Sequence, residues 1–214
     1  MEFALTLLAA VAGGLGGWWA RARLAGGAFR YDDDPPPRPA RWLPPVTSAT
    51  AGVTAYGLSD WPLSVVLTGV FAVIVGLALA AIDLDVHRLP RAITWPAYPA
   101  LLGLTTLNSW AIDSWQPLQR AAMVGATMWA AYHLLHLIAL RRGLGRGDVT
   151  LAGLIGILLG WFGWPPALVA TYLTFVIAGV YAAALLVRRR AARNTRIAFG
   201  PFMIGAALLL LPFQ

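Results

Sequence analysis

Residues 61–83 read WPLSVVLTGVFAVIVGLALAAID, an apolar run closed by a single acidic residue. About 20 mostly apolar residues are what an α-helix needs to cross the hydrocarbon of a bilayer, so Trp61 to Ile82 is a span and Asp83 stands at its end. The rest of the chain is of the same kind. Of its 214 residues 59% are hydrophobic and only 12% charged, with a mean hydropathy of +0.68. Soluble domains carry about 25% charged residues, which excludes an ordinary cytoplasmic protein.

Further apolar stretches flank this run. They are Phe3 to Ala20, Trp42 to Leu58, Ala92 to about Trp110, Leu118 to Leu140, Val149 to about Trp164, Ala167 to Val187 and Ile197 to Leu211. Trp42 to Leu58 is only mildly apolar and begins with a double proline. Arginine placement decides it, because cytoplasmic loops hold the excess of positive charge. With eight spans and an outside N-terminus, 15 of the 16 arginines fall on the inner side and Arg120 alone on the other. The expected fold is therefore all-α, a polytopic membrane helix bundle of about eight transmembrane helices forming one integral membrane domain over residues 1–214. Leu24 to Arg41, rich in Pro and Asp, is a short cytoplasmic linker. Net charge is +7, but the arginines lie in patches between spans, which points to topology and anionic lipid headgroups, notably at Arg188, Arg189 and Arg190, and to no nucleic acid.

With no cysteine, thiolate metal sites and disulfides are excluded. His133 and His136 share a helix face but lack a third ligand, so interhelical hydrogen bonding is expected and no metal. Glu2, Asp60, Asp113 and the run Asp32, Asp33, Asp34 read as solvated. The tryptophans near span ends, Trp161 among them, read as interfacial anchors.

Asp83 and Asp148 differ from the other acidic residues. Ala80, Gly76 and Gly69 share the Asp83 face, and Ala152, Gly156 and Gly160 follow Asp148 at steps of four. Small residues along one stripe let helices approach closely, so two carboxylates at similar depth on close-packing helices are expected. Two carboxylates that share a site cannot easily both ionise, and such a pair holds one proton. One member then takes a proton from water as it attacks a carbonyl while the other donates to the carbonyl oxygen. Structural aspartates paired with arginines, and a proton or ion path in a transporter, are the alternatives that periodicity leaves open. Gly143, Gly145 and Gly147 alternate before Asp148 and leave few side chains to obstruct it.

The segment Asp83-Leu84-Asp85-Val86-His87-Arg88-Leu89-Pro90-Arg91-Ala92-Ile93-Thr94 resembles the first aspartate motif of the type IV prepilin peptidases. Gly145-Arg146-Gly147-Asp148 resembles their Gly-x-Gly-Asp motif, and Ala198-Phe199-Gly200-Pro201-Phe202 their terminal Pro-Phe-Gly-Pro signature. The resemblance covers Trp61 to Leu211, which would then be the peptidase core. It implies an intramembrane aspartic endopeptidase in the plasma membrane, with Asp83 and Asp148 catalytic at the cytoplasmic face and no cofactor or metal in the step. The substrate would be a prepilin or pseudopilin losing a short basic leader. Gly145, Gly147, Arg91 and Thr94 would shape the site. Asp85, the other candidate for the first role, is turned about 200° from Asp83 on a helix.

Three departures stand out. Arg91 occupies a position where the family usually has Asp or Asn, Thr150 one where Lys is common, and Ala198 replaces the first proline of the terminal signature. A catalytically inactive relative is the alternative these departures raise. Many members also carry a zinc-holding, cysteine-paired domain between the first two spans and methylate the cut product. The Leu24 to Arg41 linker has no cysteine and no apolar run to close a ligand pocket, so metal-independent cleavage without methylation is expected.

Overall fold

The computed structural model describes residues 2–31, 34, 36, 37, 39–138, 144–187 and 198–214. Among them are eight α-helices and no strand: α1 (Glu2–Ala25), α2 (Leu43–Gly57), α3 (Leu63–Val86), α4 (Arg91–Ala111), α5 (Gln116–Ile138), α6 (Arg146–Phe162), α7 (Trp164–Val187) and α8 (Gly200–Leu210), with a closing 3-10 turn at Leu211–Phe213. The protein is an all-helical membrane bundle. Arg38, Arg141, Arg142, Gly143, Asp32, Asp33, Arg188, Arg189, Arg190, Arg193 and Arg196, which entered the readings above, lie outside the described residues.

Every expected span is a helix, but their lengths divide. α1, α3, α5 and α7 are long and apolar enough to cross a membrane. α2 has 15 residues and α8 has 11, rising roughly 22 and 16 Å at 1.5 Å per residue. The double proline that made α2 doubtful is harmless, because Pro44 and Pro45 lie in its first turn, where a missing N–H costs no intrahelical bond. α4 carries Pro96 and Pro99 inside it. α6 is the central helix, packed on α4, α5, α7 and α8. From Val149 to Trp161 only Thr150 escapes full burial.

The small-residue stripes do serve close packing of α3 and α6, each against other helices. On α3, Gly76 faces Ile204 of α8, and Gly69 faces Thr54 of α2 and Leu58 just past its end. Gly156 of α6 crosses Gly125 of α5 so closely that a Cβ there would sit 2.8 Å from the Gly125 Cα, and Gly160 meets Val124. Each stripe is thus occupied by a different partner. α4 and α8 instead touch both α3 and α6, and the four helices leave an apolar gap of about 50 Å³ between them.

Two further expectations change. Trp161 is no interfacial anchor: it is 2% exposed, stacks edge-on with Trp61 and Phe162, and donates its indole N–H to Ser109 Oγ at 3.0 Å. Arg120 donates to the carbonyls of Gly160 at 3.0 Å and Trp161 at 2.5 Å. That places a cation on the negative end of α6.

Candidate active site

Asp83 does not close its helix. α3 runs on to Val86 and ends because His87 takes a left-handed conformation (φ 52°, ψ 40°), donating its N–H to the Asp83 carbonyl at 2.9 Å. The Asp83 side chain is buried and leaves α3 one turn before that end. Its Oδ2 accepts the N–H of Gly200, the first residue of α8, at 3.0 Å. The first amides of a helix have no intrahelical acceptor, and Phe199 before α8 supplies no side-chain cap. A carboxylate 117 positions away in sequence does so instead. A Cβ at Gly200 would stand 2.8 Å from Asp83 Oδ2, so only glycine allows the approach without displacement.

Asp148 reaches a similar state by local means. It is the third residue of α6, and its Oδ2 accepts the N–H of Gly145 at the start of the same turn, 3.0 Å away. This is the acidic half of a capping box. Neither glycine of the motif has a positive φ; their use is space. A Cβ on Gly147 would sit 2.9 Å from the Leu89 Cβ, and one on Gly145 would sit 3.2 Å from Asp148 Oδ2.

Both carboxylates therefore have one oxygen anchored on a backbone amide and, among the described residues, no hydrogen bond on the other. They open into one cavity of about 620 Å³ and are within electrostatic reach of each other. Gly145, Gly147 and Arg91 line the same cavity. Thr94 does not: it is buried and donates back to the Pro90 carbonyl at 3.3 Å.

One wall comes from a segment that composition had dismissed. Phe29, Arg30 and Tyr31 of the α1–α2 linker line the cavity, so the expectation that this linker closes no pocket is corrected. Turns at Gly27 (φ 78°) and Phe29 (φ 68°) bend the chain back toward the bundle. Arg30 forms a buried ion pair with Asp85, and Arg88 pairs with Asp34 while lying over the Tyr31 ring at 4.3 Å. Asp34 is thus tethered and not merely solvated. The Tyr31 N–H and the Arg88 guanidinium together hold its carboxyl below the usual carboxylate range. Asp85 points away from Asp83, as the helical turn requires. Gly200, Phe29, Arg30 and Tyr31 escaped the residue-by-residue reading. The terminal motif carried a signal for Gly200, whereas nothing in the linker marks a wall.

The histidines make no metal site. His136 Nδ1 lies 2.5 Å from the Leu144 carbonyl just before α6, and His133 stacks on Trp129 of its own helix. Among the described residues no group of three His, Asp or Glu is placed to hold a metal. With cysteine absent from the sequence, the residues present do not fit a structural zinc.

Residues 70–187, more than half of the chain, match the Type IV leader peptidase family, and the match contains both aspartates. A prepilin leader peptidase/N-methyltransferase of Pseudomonas putida is 36% identical over 131 residues, covering 59% of this chain and 43% of that protein. One of the same name from Stutzerimonas stutzeri is 29% identical over 136 residues, covering 63% and 45%. The matched segment spans less than half the length of these relatives. No solved structure matches the chain. With three motifs in order on a helical membrane bundle, and a match running through the carboxylate pair, the chain belongs to the type IV leader peptidase family.

Proposed function

We propose that this chain is an aspartic endopeptidase that removes the leader of type IV prepilins or pseudopilins at the cytoplasmic face of the plasma membrane, with residues 61–211 as its catalytic core. The observation that carries this reading is the matched pair of carboxylates, each pinned at one oxygen and open at the other, in one cavity of about 620 Å³. With one proton on the pair, the ionised member takes a proton from water as the water oxygen bonds to the peptide carbonyl carbon. The protonated member donates to the carbonyl oxygen. Collapse of the tetrahedral species breaks the C–N bond, and a proton from the pair goes to the leaving amine. No metal or cofactor enters these steps.

A transporter reading is disfavoured by what lies below the carboxylates. Leu79, Leu151, Leu154, Ile155 and Leu158 fill the space between the four helices, and the gap there is lined by apolar residues throughout. The inside placement is supported by the 15 to 1 arginine bias. Since the linker does help to enclose a cavity, its shortness gives no ground against methyl transfer, and the proposal is confined to cleavage.

The test uses the purified chain with a cognate precursor. The wild type should release the leader, with or without a chelator, and Asp83→Asn and Asp148→Asn should each reduce release by at least about a hundredfold, the scale of a lost general acid or base. Normal processing by either variant at normal abundance would sink the assignment. An inactive relative predicts no cleavage by the wild type at all.

A further inference from the structure

The buried face of α5 runs through Val124, Gly125, Met128, Tyr132 and His136 at helical spacing. Gly125 crosses Gly156 of α6 so closely that no side chain fits between them, and that contact sets the register of the two antiparallel helices. His136 lies eleven residues after Gly125 and Leu144 twelve before Gly156, about 17 and 18 Å at 1.5 Å per residue. The two therefore arrive at the same level. His136 is 5% exposed, and its Nδ1 lies 2.5 Å from the Leu144 carbonyl oxygen. A carbonyl oxygen only accepts, so Nδ1 carries the hydrogen and donates.

That carbonyl belongs to the same peptide group as the Gly145 N–H, which donates to Asp148 Oδ2 at 3.0 Å. Imidazole, peptide and carboxylate thus form one chain of hydrogen bonds through a single planar group. A peptide whose carbonyl is engaged is the stronger donor at its N–H. Gripped at its oxygen, the plane cannot turn that N–H away from the carboxylate. His136 is also within electrostatic reach of Asp148. The acid and base steps of hydrolysis give this histidine no part of their own.

We propose that His136 is a positioning residue: by holding the Leu144–Gly145 peptide it fixes the anchored oxygen of Asp148 and so aims the other oxygen into the cavity. What Asp148 does there rests on the peptidase reading; the hydrogen-bond chain stands without it. The arrangement needs only the α5–α6 hairpin, so the hold on Asp148 stays independent of α3 and α8.

The experiment compares the full-length wild type with His136→Asn, His136→Gln and His136→Leu in nanodiscs. Leader removal from a cognate precursor gives kcat and KM, and mass spectrometry gives deuterium uptake over residues 144–149. Asn sets an amide N–H close to where Nδ1–H stands, Gln carries it one bond too far, and Leu has none. Leu and Gln should lower kcat about tenfold or more with KM unchanged, and Asn should stay within about threefold of the wild type, because a small misplacement of a reacting group is costly. The Gly145 amide should exchange about fivefold faster with Leu and Gln, the scale of one net hydrogen bond, and at the wild-type rate with Asn. If the Leu variant fails to insert, the difference between Asn and Gln carries the test. Wild-type kcat or wild-type exchange in the Gln variant, equal losses in Asn and Gln, or a change in KM alone would overturn the proposal. Should the wild type cut no precursor, the peptidase reading falls, and the exchange pattern by itself decides for or against the hold on the peptide.

Discussion

Asp83 and Asp148 reach nearly the same environment by opposite routes. Asp148 is held by its own turn: Gly145 and Asp148 are three residues apart, and the bond between them forms wherever α6 begins. Asp83 is held by Gly200 of α8, across 117 residues, and its geometry exists only once α3 and α8 have packed. One carboxylate is preorganised by local structure and the other by assembly of the bundle. The lesson is that the α6 side of the pair should tolerate loosening of the bundle, and the α3 side should not.

The largest expected effect tests whether the two halves act as one unit. The double variant Asp83→Asn/Asp148→Asn should cleave no more slowly than either single variant, since loss of either member already removes the shared proton. If the two losses multiply, the carboxylates act independently. Next come the anchoring glycines. Gly200→Ala puts a methyl 2.8 Å from the Asp83 carboxylate, against 3.2 Å from the Asp148 carboxylate for Gly145→Ala. A cleavage assay should show a loss of about tenfold or more for Gly200→Ala, consistent with displaced catalytic geometry, and a smaller loss for Gly145→Ala. The reverse order would mean that the local turn, and not the packing of α3 on α8, sets the tighter hold.

Asp85→Asn sharpens the contrast between two carboxylates on one helix. It removes one partner of the buried Arg30–Asp85 pair, at a cost of up to about 3 kcal/mol, seen as a lower Tm in detergent. Because Arg30 belongs to the cavity wall, KM should rise while kcat changes little. A fall in kcat alone would mean that Asp85 takes part in the chemistry.

The smallest effect belongs to Asp34, whose pair with Arg88 is partly exposed. Its carboxyl lies below the ordinary range in the folded protein, so its contribution is complete above the ordinary carboxylate pKa and is lost as pH falls through the lowered value. Protease resistance of the linker should be unchanged between neutral pH and pH about 5, and Asp34→Asn should lower it only slightly.

The sequence alone determined the eight helical segments, because a run of apolar residues long enough for the bilayer has few other states in which its backbone is satisfied. It determined the start of α6 and the local hold on Asp148, because a helix cap is a matter of three or four neighbouring residues. It separated Asp83 from Asp85 by the turn of the helix alone. Tertiary structure decided the rest. Gly156 and Gly160 of α6 pack on α5 and not on the other aspartate helix, since a small-residue stripe states that a helix will come close without stating which one. Gly200 holds Asp83, and Phe29 to Tyr31 wall the cavity, because ion pairs between a polar linker and α3 depend on where the chain returns in space. No spacing along the sequence encodes that return.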